Sequence, residues 1–240
     1  MKKIQLMALL TCLMVVGYKA NAAIVLDRTR VIYTADVGFV NLSIRNENKT
    51  LPYLAQSWIE NVAPQSTSAP LAVSPEIQRV NSGEKNIVRI YATLDAKTLP
   101  QDRESLFYYT LREIPPRSDI PDAIQVALQT KIKLFYRPLS IVPQPDEIWQ
   151  QRVILHKTAQ GYRLENPTPY YLTVIGLAAR SGAAAKEDFP AIMVAPMSSS
   201  ELVAENYPSP VITYINDYGA HPELSFSCHG AICRAIISGS

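Results

Sequence analysis

Along residues 122–138, DAIQVALQTKIKLFYRP, the side chains alternate without a break. Ile124, Val126, Leu128, Thr130, Ile132, Leu134 and Tyr136 share one parity, and Gln125, Gln129, Lys131, Lys133 and Arg137 share the other. Period two marks an extended strand. Residues 123–137 at roughly 3.3 Å each would reach about 50 Å, well beyond the roughly 3 to 10 residues usual in a globular domain. If 130–136 pack in a domain core, the part around Ile124, Val126 and Leu128 overhangs it. An overhang of that kind presents apolar side chains and unpaired backbone groups, an edge that invites a foreign strand.

Shorter alternating segments precede it: AIVLDRTRVIYT, GFVNLSIRNEN, YLAQSWIEN, LAVSPEIQRV, NIVRIYAT and SLFYYTLREIP, with turn residues such as NSGEK and DAKTLP between them. With the long segment they predict seven strands, the number and spacing of an immunoglobulin-like sandwich. RPLSIVPQPDEIW then places three prolines within eight residues, which excludes a central strand and marks a stiff hinge. Beyond it RVILHKT, GYRLENPTPYYLTVIGLAA, AIMVAP, SSSELVAE, VITYIND and ELSFSC…AICRAIIS predict a second all-β set. The expected architecture is all-β: two immunoglobulin-like sandwiches in tandem, residues 23–142 and 143–240, with a cleft between them.

The first 22 residues open with Lys2 and Lys3, followed by an apolar run from Ile4 to Val16 and a small-x-small ending at Ala20 and Ala22. This is the pattern of a secretory signal cleaved after Ala22; the run is shorter than the roughly 18 residues a membrane anchor needs. Without the three signal lysines the chain keeps 20 basic and 21 acidic residues, a net of −1. There is no basic excess to bind nucleic acid. Cys12 leaves with the signal, so Cys228 and Cys233 in SFSCHGAIC remain. Export permits a disulfide tying a tight hairpin; the competing reading, a metal held by Cys228, His229 and Cys233, lacks further ligands nearby.

His156, His221 and His229 lie in contexts without a G-x-S-x-G elbow, an H-E-x-x-H helix or a P-loop, so a binding protein is favoured over an enzyme. No cofactor or nucleotide site is indicated.

Several stretches resemble the periplasmic pilus chaperones of the PapD family: LDRTR (26–30), LPYLAQSWIEN (51–61), LPQDRESLFYYTLREIPPRS (99–118), ALQTKIKLFYRP (127–138), NPTPYY (166–171) and YINDYG (214–219). Thr110 departs from the Asn usual at its position. The resemblance implies an ATP-independent chaperone that caps pilin subunits by donor-strand complementation and delivers them to an outer-membrane usher. It assigns Ile124, Val126 and Leu128 to the donated strand, and Arg30 and Lys133 to an anchor for the pilin C-terminal carboxylate. Glu104, Arg137 and Asp217 become an interdomain ion network, in which near-surface pairs would each add under about 1 kcal/mol. Lys131 matches no anchor and is expected to be a solvated neighbour. The resemblance further implies a cis Leu51-Pro52 peptide, self-association of the free chaperone and, from the short PPRSDIPD connection (115–122), the branch that builds rod-like pili with adhesive tips. An adhesin or structural pilus subunit is the alternative, and it would lack Arg30 and Lys133 in these motifs.

Overall fold

A computed structural model describes residues 22–62, 69–118, 124–183 and 189–237. Residues 1–21 of the expected signal and residues 119–122 of the short connection lie outside the described residues. The N-terminal half holds β1 (Ile24–Leu26), β2 (Arg30–Thr34), β3 (Val40–Asn46), β4 (Tyr53–Asn61), β5 (Leu71–Ser74), β6 (Ile77–Val80), β7 (Lys85–Ala92), β8 (Ser105–Ile114) and β9 (Gln129–Arg137). These form one sheet in the order β1-β3-β7-β5 and a second in the order β2-β9-β8-β4-β6. Leu42, Ile44, Val88 and Ile90 of the first and Val31, Tyr33, Tyr109, Leu111 and Leu134 of the second are buried together in one core. The immunoglobulin-like sandwich is as expected, but seven predicted segments become nine strands. AIVLDRTRVIYT and LAVSPEIQRV each divide between the two sheets. Parity shows why: Ile24 is buried in β1 whereas Val31 and Tyr33 are buried in β2, and Leu71 and Val73 in β5 give way to Val80 in β6. Here the inward positions change from even to odd, or the reverse, where the chain crosses from one sheet to the other.

The second crossing contains the cis peptide Ser74-Pro75. Leu51-Pro52, expected to be cis, is not. Its connection is closed instead by side chains, since Asn48 Oδ1 accepts from the amides of Thr50 and Leu51 and Asn46 Nδ2 donates to the Leu51 carbonyl.

The C-terminal half holds β10 (Ile154–Thr158), β11 (Gly161–Asn166), β12 (Leu172–Ala178), β13 (Ile192–Val194), β14 (Ser198–Val203), β15 (Val211–Ile215), β16 (Glu223–His229) and β17 (Ile232–Ala235). The strand order is β13-β12-β15-β16-β17-β10-β11-β14. β16 joins its two faces, pairing with β15 through Ser225 and with β17 from Phe226 onward. Tyr162, Leu164, Val174, Ile212 and Phe226 fill this second core. Cys228 and Cys233 are direct cross-strand partners in the β16–β17 hairpin and are disulfide-bonded, which leaves no thiolate there for a metal.

Candidate functional site

β9 shows two kinds of surroundings. From Gln129 to Tyr136 it pairs antiparallel with β8, and from Lys133 to Arg137 it also pairs parallel with β2. Among the described residues upstream of Gln129 there is no strand ladder; one backbone bond remains, from the Glu113 amide to the Leu128 carbonyl, and the Gln125 side chain donates to the Pro116 carbonyl. The predicted strand over 123–137 is thus a nine-residue strand preceded by an extended overhang. Ile124 is 92%, Val126 66% and Leu128 38% exposed. On the β2 side no described strand pairs with 124–132, because β2 begins at Arg30, opposite Lys133.

That open edge ends at two cations. Arg30 is buried and Lys133 is half-buried, and they are register partners across the β2–β9 ladder. Neither has an ion-pair partner among the described residues. Lys133 Nζ lies 3.4 Å from Thr173 Oγ1, and Arg30 Nη1 donates to the Ile215 carbonyl at 3.3 Å. Arg30 Nε is buried with no partner. Burial, reinforced by the neighbouring guanidinium, holds the Lys133 ammonium below the ordinary lysine value. Burial also lowers Arg30, against the pull of Asp217 and Glu104. Two like charges partly withdrawn from water, with no directly paired carboxylate among the described residues, are costly, and the arrangement suits an incoming anion. Thr173 and Ile215 belong to the second domain, so the site lies in the cleft.

The expected ion network assembles beside it. Arg137 Nε donates to Glu104 Oε1 at 2.9 Å and Nη1 to Asp217 Oδ2 at 2.8 Å. Glu104 Oε2 accepts from the Tyr171 amide at 2.8 Å. The side chains of Arg137 and Glu104 are only 5% and 2% exposed, so the surface-pair magnitude expected above does not apply. These are buried charges, and removing one partner strands the other at a cost of about 3–5 kcal/mol. Burial pushes the Glu104 carboxyl up to about 7, opposed chiefly by Arg137. Arg137 is held above its ordinary value because Glu104 and Asp217 outweigh its own burial. Its guanidinium also lies 4.9 Å from the Tyr170 ring centroid, and Phe135 packs against Tyr171 at 5.5 Å. These contacts join the end of β9 to the second domain.

Lys131 corrects an expectation. It is exposed but not merely solvated: its Nζ reaches Glu60 Oε2 at 2.5 Å and lies 4.5 Å from the Tyr108 ring centroid. Glu60 is fixed in turn by Thr110 Oγ1 at 2.8 Å and Trp58 Nε1 at 3.0 Å, so the unusual Thr110 retains a hydrogen-bonding role. No sequence signal marked Glu60, because its partner lies 71 residues away across β4, β8 and β9. Thr173 and Ile215 were missed for the same reason.

Fold and site together define a two-sandwich protein with an open sheet edge leading into a cleft where Arg30 and Lys133 have no salt-bridge partner among the described residues. Residues 23–142 match the model of the pili and flagellar-assembly chaperones, PapD N-terminal domain, and residues 148–226 that of the pili assembly chaperone PapD C-terminal domain. The chain therefore belongs to the PapD family of pilus assembly chaperones. It is 49% identical to the chaperone protein PapD of Escherichia coli, covering 97% of this chain and 96% of that one. It is 41% identical to the chaperone protein PmfD of Proteus mirabilis, covering 89% and 87%. The crystal structure of the E. coli chaperone DraB superposes with a TM-score of 0.68 at 28% identity, covering 84% and 94%. These relatives are named as chaperones, and the alternative of an adhesin or structural subunit finds no support among them. Among the described residues no helix is long and apolar enough to cross a membrane.

Proposed function

We propose that this chaperone acts in the periplasm, after cleavage behind Ala22, by lending the 124–132 edge to a pilin that lacks a strand. The observation that carries the reading is the coincidence of two features: β9 loses its β2 neighbour at the position where Arg30 and Lys133 stand without a salt-bridge partner among the described residues. A partner strand that lies along 124–132 and ends at this pair has its C-terminus at the Lys133 end. It must then run parallel to β9, continuing the line of β2. Its carboxylate would meet the Lys133 ammonium and the Arg30 guanidinium, each charge-assisted bond contributing about 1.5–3 kcal/mol. Ile124, Val126 and Leu128 would fill the partner's groove, contributing up to about 1.5–3 kcal/mol each and least for the partly covered Leu128. Backbone pairing of this kind is the physics of strand addition, for which chaperone–pilin pairing is a standard example.

In this reading residues 23–142 carry the donated edge, residues 143–240 supply the far wall of the cleft, and the Glu104–Arg137–Asp217 network holds the angle between them. Delivery to an outer-membrane usher, release by strand replacement and self-association of the free chaperone follow from family membership. Periplasmic co-expression with a pilin tests the anchor. Lys133→Ala or Arg30→Ala should abolish co-purification while the melting temperature is maintained; an undiminished yield of complex would refute it.

A further inference from the structure

The lysines at 131 and 133 share one face of β9, about 7 Å apart along the strand. Resting on the strand-capture reading above, this spacing poses a register problem. A strand slipped by two residues presents the same side-chain face, and its terminal carboxylate would then reach Lys131 in place of Lys133. Backbone pairing and the alternation of Ile124, Val126 and Leu128 oppose such a slip only weakly. The discrimination must come from the cations.

Lys131 and Lys133 differ in what already occupies them. Lys133 Nζ meets a hydroxyl and a like charge, whereas Lys131 Nζ is held by the Glu60 carboxylate at 2.5 Å. We propose that Glu60 sets the register of the captured strand by occupying Lys131, so that of the two lysines Lys133 alone receives the partner's terminal carboxylate. An exposed ion pair adds little to stability, but stability is not what matters here. A carboxylate arriving at Lys131 would lie against another carboxylate that cannot swing aside, because Thr110 Oγ1 and Trp58 Nε1 both donate to Glu60 Oε1. Rejection by a fixed like charge is how a site discriminates against an alternative that its attractive contacts tolerate. Glu60 is therefore a positioning residue, acting through Lys131.

The test uses a synthetic peptide of about ten alternating apolar and polar residues, prepared with a free C-terminal carboxylate and as its C-terminal amide. Binding is read by fluorescence anisotropy against the full mature chaperone. Lys133→Ala should bind the carboxylate peptide weakly, because the remaining lysine is occupied. Glu60→Gln/Lys133→Ala should regain about tenfold in affinity as Lys131 is freed. That gain should be absent for the amide peptide and disappear in Glu60→Gln/Lys131→Ala/Lys133→Ala. Gln keeps an oxygen for Thr110 and Trp58, so the fold should be preserved, as thermal melts would verify. With equal melts, a double variant no tighter than Lys133→Ala, or a gain that survives loss of Lys131, overturns the role of Glu60. A wild-type chaperone indifferent to Lys133→Ala, or to amidation of the peptide, would instead bring down the anchor itself and the register device with it.

Discussion

The segment 124–137 has one alternation and two fates. In its lower half both parities are buried: Leu134 and Tyr136 in the core of the first sandwich, Phe135 and Arg137 under the second domain. In its upper half Ile124 and Val126 are mostly exposed, and the backbone leaves the ladder. The difference lies in the neighbours. β2 starts only at Arg30 and β8 pairs only as far as Arg112 opposite Gln129, so the same residue types are core below and an unfilled template above. An alternating pattern therefore fixes which side chains share a face, while the ends of adjacent strands decide whether that face is covered.

Substitutions can break this contrast. The largest loss of stability should come from Arg137→Ala, which leaves Glu104 buried beside a vacated partner; about 3–5 kcal/mol is expected in denaturant unfolding. Leu134→Ala follows at about 2–5 kcal/mol, the cost of a cavity in a closed core. A loss near zero would mean that the lower half is not core. Val126→Glu should leave unfolding within about 0.5 kcal/mol of wild type, as at other exposed sites, while pilin capture falls sharply. A marked drop in melting temperature would assign the overhang to the core and erase the contrast.

The smallest effect is a pH dependence at Lys133. Its ammonium is held below the ordinary lysine value of 10.5, first by burial and then by Arg30. Charge at this site opposes folding. As pH rises from the depressed value toward 10.5, folded Lys133 loses its proton before the unfolded chain does, and stability should increase slightly. Capture should weaken over the same window as the anchor loses its cation. Lys133→Met should remove both trends; parallel rather than opposite trends in the wild type would show that another group governs them.

Much of the molecule was legible in the residues. Alternation marked the strands and the overhang, the prolines of 138–145 marked the break between the two sets of strands, and the two late cysteines marked the hairpin. The sheet crossings at 27–29 and 75–76 were not seen, because a change of inward parity shows only once the core is known. The roles at the cleft came from resemblance, and Glu60, Thr173 and Ile215 escaped because nothing local distinguishes an acid facing a lysine across two strands from any solvated acid.

By itself the sequence determined the periodicities, the breaks and the charge inventory, since these depend on neighbours one to four residues apart. Which lysine is neutralised, which edge is left bare, and which charges are buried together were decided by tertiary structure. Those properties depend on desolvation and on distances of a few ångströms between residues as many as 185 apart, as Arg30 and Ile215 are, and only the closed fold brings such groups together.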